Sequence, residues 1–141
     1  MPVIATILET ETGSEAPPRP RILFVDDEPL LTKLGEEFLR RLGCDSVVAT
    51  CPEDALAKFK ASAFDAVITD LTMPKMSGLD LQRAIQELRP DVPVVLTTAF
   101  QQKLKGRNPL DLGFRSFLLK PYNLKTLGAT LREVLAPAAP V

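Results

Sequence analysis

Five short apolar runs limit what this 141-residue chain can fold into more than any other feature. They are Ile22-Leu23-Phe24-Val25, Val47-Val48-Ala49, Ala66-Val67-Ile68, Val94-Val95-Leu96 and Phe117-Leu118-Leu119. Unbroken apolarity fits strands covered on both faces, as in a parallel sheet, rather than the alternation of a half-solvated one. Amphipathic stretches lie between the runs. Leu31, Leu34, Phe38 and Leu42 recur at helical spacing, as do Leu81, Ile85 and Leu88, and again Leu124, Leu127, Leu131 and Leu135.

Helix ends are signalled as well. Thr50 with Glu53 is a candidate capping box, Asn123 a candidate cap of the last helix, and Gly43 suits a helix end. Strand and helix repeated five times predict an α/β fold: a doubly wound five-stranded parallel sheet of order 2-1-3-4-5, a flavodoxin-like (βα)5 sandwich. One segment breaks the rhythm. Gly106 and Pro109 fall between Ala99 and Leu112, where a fourth helix belongs, and either costs a helix interior about 1 to 3 kcal/mol. An irregular fourth helix is expected there, cut down to a short one with Asn108 as cap and Pro109 at its first position.

Six of the thirteen prolines lie in the first 20 or last 6 residues. The predicted organisation is a flexible acidic, proline-rich linker over 1–20, one folded domain over 21–136 and a disordered tail over 137–141. At 45% hydrophobic and 25% charged the composition is that of an ordinary globular domain. A net charge of -1 supplies no pull toward nucleic acid or an anionic membrane, so neither is expected as a partner. The chain has no histidine, which excludes Ser-His-Asp and Cys-His catalysis and histidine-ligated zinc. Cys44 and Cys51 have no CxxC spacing and read as reduced thiols. With no candidate signal or membrane span, a cytoplasmic location is expected.

Chemistry gathers where the runs end. The first ends in Asp26-Asp27-Glu28, the third in Asp70, the fourth in Thr97-Thr98 and the fifth in Lys120-Pro121. Each alone reads as a turn, cap or surface residue. Together they place carboxylates, a hydroxyl and an ammonium beyond the carboxyl ends of parallel strands, where such sheets carry their sites. Carboxylates at 4 Å repel by about 4 kcal/mol per pair at an effective dielectric near 20. One is therefore protonated, or a cation sits among them; an all-oxygen site suits Mg²⁺. An aspartate beside Mg²⁺, with a lysine and a hydroxyl opposite, can act as nucleophile toward a phosphoryl group.

The segments Phe24-Val25-Asp26-Asp27-Glu28-Pro29, Ile68 to Gly78, Leu96-Thr97-Thr98-Ala99 and Phe117-Leu118-Leu119-Lys120-Pro121 resemble, in that order and spacing, the receiver domain of two-component response regulators. The resemblance implies that Asp70 is the phospho-acceptor and that Asp26, Asp27, Asp70 and the backbone carbonyl of Thr72 hold Mg²⁺. It implies that Lys120 contacts the phosphoryl oxygens, that Thr98 is the switch hydroxyl and that Phe117 is the aromatic that follows it. A cis bond before Pro121 is implied too, with Thr72 and Phe100 at positions that tune phosphate lifetime. Met73 to Gly78 is expected to turn the chain sharply so that Asp70 stays exposed, Gly78 adopting a backbone geometry that other residues resist.

The implied activity is a signalling one, limited to the domain's own Mg²⁺-dependent phosphorylation and dephosphorylation. A sensor histidine kinase or histidine phosphotransfer protein is the implied partner, and the protein is expected as a monomer or weak dimer. The phrase Phe114 to Tyr122 resembles receivers fused to hybrid histidine kinases. A stand-alone regulator and a receiver cut from a longer protein both stay open, with Pro2 to Leu8 as a last kinase strand in the second case. Three other readings compete with this one. A haloacid-dehalogenase-type phosphatase needs an aspartate where Thr72 stands. A flavodoxin-like carrier needs a phosphate loop that the first strand does not introduce. A pseudo-receiver, working as a phosphorylation-independent interaction module, is the remaining alternative.

Overall fold

The computed structural model describes residues 19–73, 76–99 and 108–135. The expectations for 1–18, Pro74-Lys75, Phe100, the rest of the fourth-helix segment to 107, and 136–141 lie outside them. Five parallel strands, β1 (Arg21–Val25), β2 (Asp45–Ala49), β3 (Ala66–Asp70), β4 (Val94–Thr98) and β5 (Ser116–Leu119), form one sheet in the order β2-β1-β3-β4-β5. Each contains one of the apolar runs. Among the described residues four α-helices cover it: α1 (Pro29–Arg41), α2 (Pro52–Ala61), α3 (Gly78–Leu88) and α4 (Leu124–Leu135).

Alternate residues of each strand feed opposite faces. Leu23, Val25, Val67, Val94 and Leu96 join Ala55 and Phe59 of α2 with Leu81 and Ile85 of α3. Ile22, Phe24, Ile68, Val95 and Leu118 join Leu39 of α1 with Leu127, Leu131 and Val134 of α4. β3 is buried along its whole length, so Asp70 at its end is carried by one of the most shielded strands.

The α1 face differs from the one its leucines predict. Thr32, Gly35 and Leu39 are its buried residues, Leu34 is 44% exposed, and Leu31, Phe38 and Leu42 lie at the margin. Gly35 is the reason. A Cβ there would come within 2.6 Å of the Phe24 ring, so the helix beds its glycine on that ring and the leucine stripe rotates outward. Leu88 is exposed as well, leaving Leu81 and Ile85 as the buried part of the α3 stripe.

Local signals were mixed in outcome. Asn123 Oδ1 accepts the Thr126 N–H at 2.8 Å, and Gly43 sits past α1 at φ 85°. The Thr50–Glu53 box does not form: α2 starts at Pro52 behind an extended Cys51 with no side-chain cap bond. Proline biases its predecessor to extended backbone and is preset for the first helical position, so the start falls later than the box requires. A true capping box joins Ser77 and Asp80 at α3 instead.

In the described part of the β4–β5 connection, Pro109–Leu112 is a 3-10 turn whose cap is Asn108, Oδ1 accepting the Leu110 N–H at 2.9 Å. At the sheet end opposite Asp70, the stacked rings of Phe59 and Phe64 lie between the guanidinium groups of Arg89 and Arg21. At the β2 edge, Lys58 Nζ donates to the Val48 carbonyl at 2.8 Å.

Gly78 does not have the special backbone expected of it, since only Gly43 and Gly113 among the described residues are glycines with positive φ. It is needed for a close approach. Its N–H donates to the Leu71 carbonyl at 2.7 Å, and a Cβ would run into the Asp70 carbonyl oxygen. Gly78→Ala should therefore cost about 3 kcal/mol. Gly43→Ala, with open space but a positive φ, should cost about 1 kcal/mol. Urea unfolding of both variants measures this, and equal losses would contradict the close-approach reading.

Candidate functional site

Three strand ends and one loop build an acidic pocket. Asp26 follows β1 directly, and its N–H donates to the Ala49 carbonyl at 3.1 Å, tying the loop to β2. Asp26 is 1% exposed, yet its Oδ1 accepts the Glu28 N–H at 3.0 Å and its Oδ2 accepts Lys120 Nζ at 2.8 Å. Both oxygens of a buried carboxylate are thus satisfied, as its burial demands. Asp27, the next residue, faces outward and is exposed.

Lys120 is delivered by β5. Its N–H donates to the Thr98 carbonyl at 2.9 Å, and the bond to Pro121 is cis. Its ammonium bridges Asp26 Oδ2 at 2.8 Å and Asp70 Oδ1 at 3.1 Å. One oxygen from each of Asp26, Asp27 and Asp70 lies within 4.8 Å of the other two. With all three ionised, one ammonium against three carboxylates leaves two negative charges uncompensated in the pocket. That excess, with oxygen donors alone, is the setting in which a hard divalent cation binds.

The two partners of the Lys120–Asp70 pair shift in the same direction. Burial pushes the Asp70 carboxyl above its ordinary range, outweighing the pull of Lys120 and of the Leu71 amide, and the charge of Asp26 adds to the rise. Burial draws Lys120 down, but the bond to Asp26 and the charges of Asp70 and Asp26 more than reverse it. Burial, with Asp26 and Asp70 behind it, also pushes the Tyr122 phenol up to about 12. Tyr122 packs edge-on against Phe38 at 6.4 Å. Sequence reading gave it no role, although its place two residues after Lys120 was the available signal.

The structure thus brings Asp26, Asp27, Asp70 and Lys120 together. Asp70 is 9% exposed rather than open, because Lys120 and Asp26 pack on it. Thr98 ends β4 and is buried, Phe117 is half-buried against the α2–α3 core, and Thr72 is exposed two residues beyond Asp70.

Residues 22–132 match the family model described as the response regulator receiver domain. The chain belongs to this family. Among curated proteins, this receiver is 34% identical over 115 residues to the transcriptional regulatory protein TrcR of Mycobacterium tuberculosis, covering 82% of this chain and 45% of that protein. It is 35% identical over 118 residues to the sensory transduction protein RegX3 of Mycolicibacterium smegmatis, covering 84% of this chain and 51% of that protein. The receiver spans about half the length of the curated relatives it matches. Because some of those longer relatives are named transcriptional regulators, the expectation that nucleic acid is no partner draws no support from them.

Among solved structures, the Vibrio cholerae chemotaxis protein CheY4 aligns with a TM-score of 0.78 at 28% identity, over 84% of this chain and all of that one. The Thermotoga maritima response regulator TrrA, solved in complex with Mg(2+)-BeF, aligns with a TM-score of 0.75 at 31% identity, over 82% of this chain and 99% of that one. No helix among the described residues is long and apolar enough to cross a membrane.

An acid whose pKa is raised on folding contributes stability below its unfolded pKa and loses it as pH rises through the folded one. Ionised Asp70 therefore weakens the fold at neutral pH. In the absence of divalent cations, Asp70→Asn should raise Tm by a few degrees at pH 7. The gain should shrink as pH falls through the carboxylate range; thermal melts across pH check it.

Proposed function

We propose that this receiver takes a phosphoryl group on Asp70 from a partner histidine kinase or histidine phosphotransfer protein, with Mg²⁺ held by Asp26, Asp27, Asp70 and the Thr72 carbonyl. The observation that carries the reading is Lys120 Nζ set between Asp26 and Asp70, with the exposed Asp27 carboxylate beside them. When bound, a divalent ion offsets the excess negative charge and lets an anionic phosphoryl group approach.

In the transfer, a carboxylate oxygen of Asp70 forms a bond to phosphorus while the bond from phosphorus to the donor breaks. The electron pair leaves on the donor, an imidazole nitrogen of a histidine partner or the carboxylate of an acyl phosphate. Lys120 then holds a phosphoryl oxygen, so the charge that grows on that group meets a fixed ammonium already in place. Thr98 supplies the hydroxyl that moves toward the phosphoryl group, and Phe117 follows it. The same residues run hydrolysis of the aspartyl phosphate.

Incubation with acetyl phosphate and Mg²⁺, followed by intact-mass measurement, tests the reading. The wild type should gain one phosphoryl group and Asp70→Asn none, while Lys120→Ala should slow the gain roughly a hundredfold. A wild-type chain that stays unmodified would favour the pseudo-receiver. In thermal melts, saturating Mg²⁺ should stabilise the wild type by about 2 to 3 kcal/mol at a hundred times its Kd. Asp27→Asn should lose most of that gain.

A further inference from the structure

Two buried hydroxyls at the strand ends have no part in the reaction just described. Thr69, the residue before Asp70, is 0% exposed, and its Oγ1 donates to the Asp70 carbonyl at 3.0 Å. Thr97 is 1% exposed and stands beside Asp70 in the β3–β4 register; its Oγ1 donates to the Thr69 carbonyl at 3.5 Å, a long bond. Valine would fill the same volume at either position without a hydroxyl to satisfy. The Thr69 hydroxyl is instead turned onto the main chain of Asp70, and that of Thr97 onto the main chain of the residue before it.

Other bonds converge on the same peptides. The Leu71 N–H donates to the Thr97 carbonyl at 3.1 Å, and the Leu71 carbonyl accepts the Gly78 N–H. The Asp70 carbonyl is at the last residue of β3, against Gly78 on one side and bonded by Thr69. A nucleophile must be held within about 0.5 Å of its productive position for efficient transfer. A carboxylate on a short side chain can be no better placed than the backbone that carries it.

We propose that Thr69, backed by Thr97, is a positioning residue for Asp70: a relay of two side-chain-to-main-chain bonds, Thr97 Oγ1 to the Thr69 carbonyl and Thr69 Oγ1 to the Asp70 carbonyl, that fixes the backbone under the acceptor carboxylate. The inference rests on the proposed phosphoryl transfer to Asp70. Since Thr97 directly precedes Thr98, the relay also joins the acceptor to the strand bearing the switch hydroxyl.

The test is the rate of acetyl phosphate-dependent phosphorylation with Mg²⁺, followed by intact mass across donor concentrations. Thr69→Val should lower the maximal rate constant roughly fivefold, the worth of one ordinary hydrogen bond. The donor concentration at half-maximal rate should stay unchanged, because Lys120 and the carboxylates are intact. Thr69→Ser, which keeps the hydroxyl and loses the methyl, should recover to within about twofold of wild type. Thr97→Val should show a smaller loss than Thr69→Val.

A Thr69→Val chain that matches wild type would overturn the relay. So would a Thr69→Ser chain as slow as Thr69→Val, which would make packing the cause, or a change confined to half-saturation. A wild type that takes no phosphoryl group would sink the proposed function itself, and the relay with it. An active wild type beside an unaffected Thr69→Val sinks the relay alone.

Discussion

A single ammonium group holds this pocket together. Lys120 joins carboxylates from the ends of β1 and β3, reaching them from a residue 94 positions later in the chain than Asp26. Two carboxylates whose oxygens come within 4.8 Å of each other repel by several kcal/mol unless a cation stands between them. The position of the ammonium is set in turn by the register of β5 on β4, sealed by the Lys120 N–H to the Thr98 carbonyl. Anything that slipped β5 would withdraw the counter-charge and leave Asp26 buried and unpaired, the costliest state for a carboxylate.

The same arrangement sets stability against chemistry. Asp26 is buried with both oxygens bonded, so it behaves as part of the scaffold. Asp70 is buried with a weaker claim on Lys120, and its desolvation is not fully offset. The less satisfied of the two is the better candidate to react, because it gains most from a new partner. Sites that store such strain are where function is expected.

Much of this was legible beforehand because a parallel sheet leaves a plain record: runs buried on both faces, with polar residues at one end of each. The five parallel strands, the gathering of Asp26, Asp27, Asp70 and Lys120, and the Asn108 and Asn123 caps all came from such local marks. What escaped was set by contacts between distant segments. The α1 leucine stripe marks the margin of the buried face and not its centre, because Gly35 meets the Phe24 ring, a pairing no periodicity reveals. Gly78 was read as a backbone requirement when it is a clearance requirement. The Thr50–Glu53 box looked sound until Pro52 set the helix start. The turn from Met73 to Gly78 suggests an exposed Asp70; it is buried instead, with Lys120 and Asp26 packed on it.

At the far margin of the sheet, the bond from Lys58 to the Val48 carbonyl has a consequence for life in a crowded solution. An outermost strand offers free main-chain groups to any extended peptide that drifts past, and fibril growth begins with such an addition. An incoming strand along β2 would have to displace a charged amine already hydrogen-bonded there and strip its water as well. That margin is guarded against accretion by a lysine of the neighbouring helix.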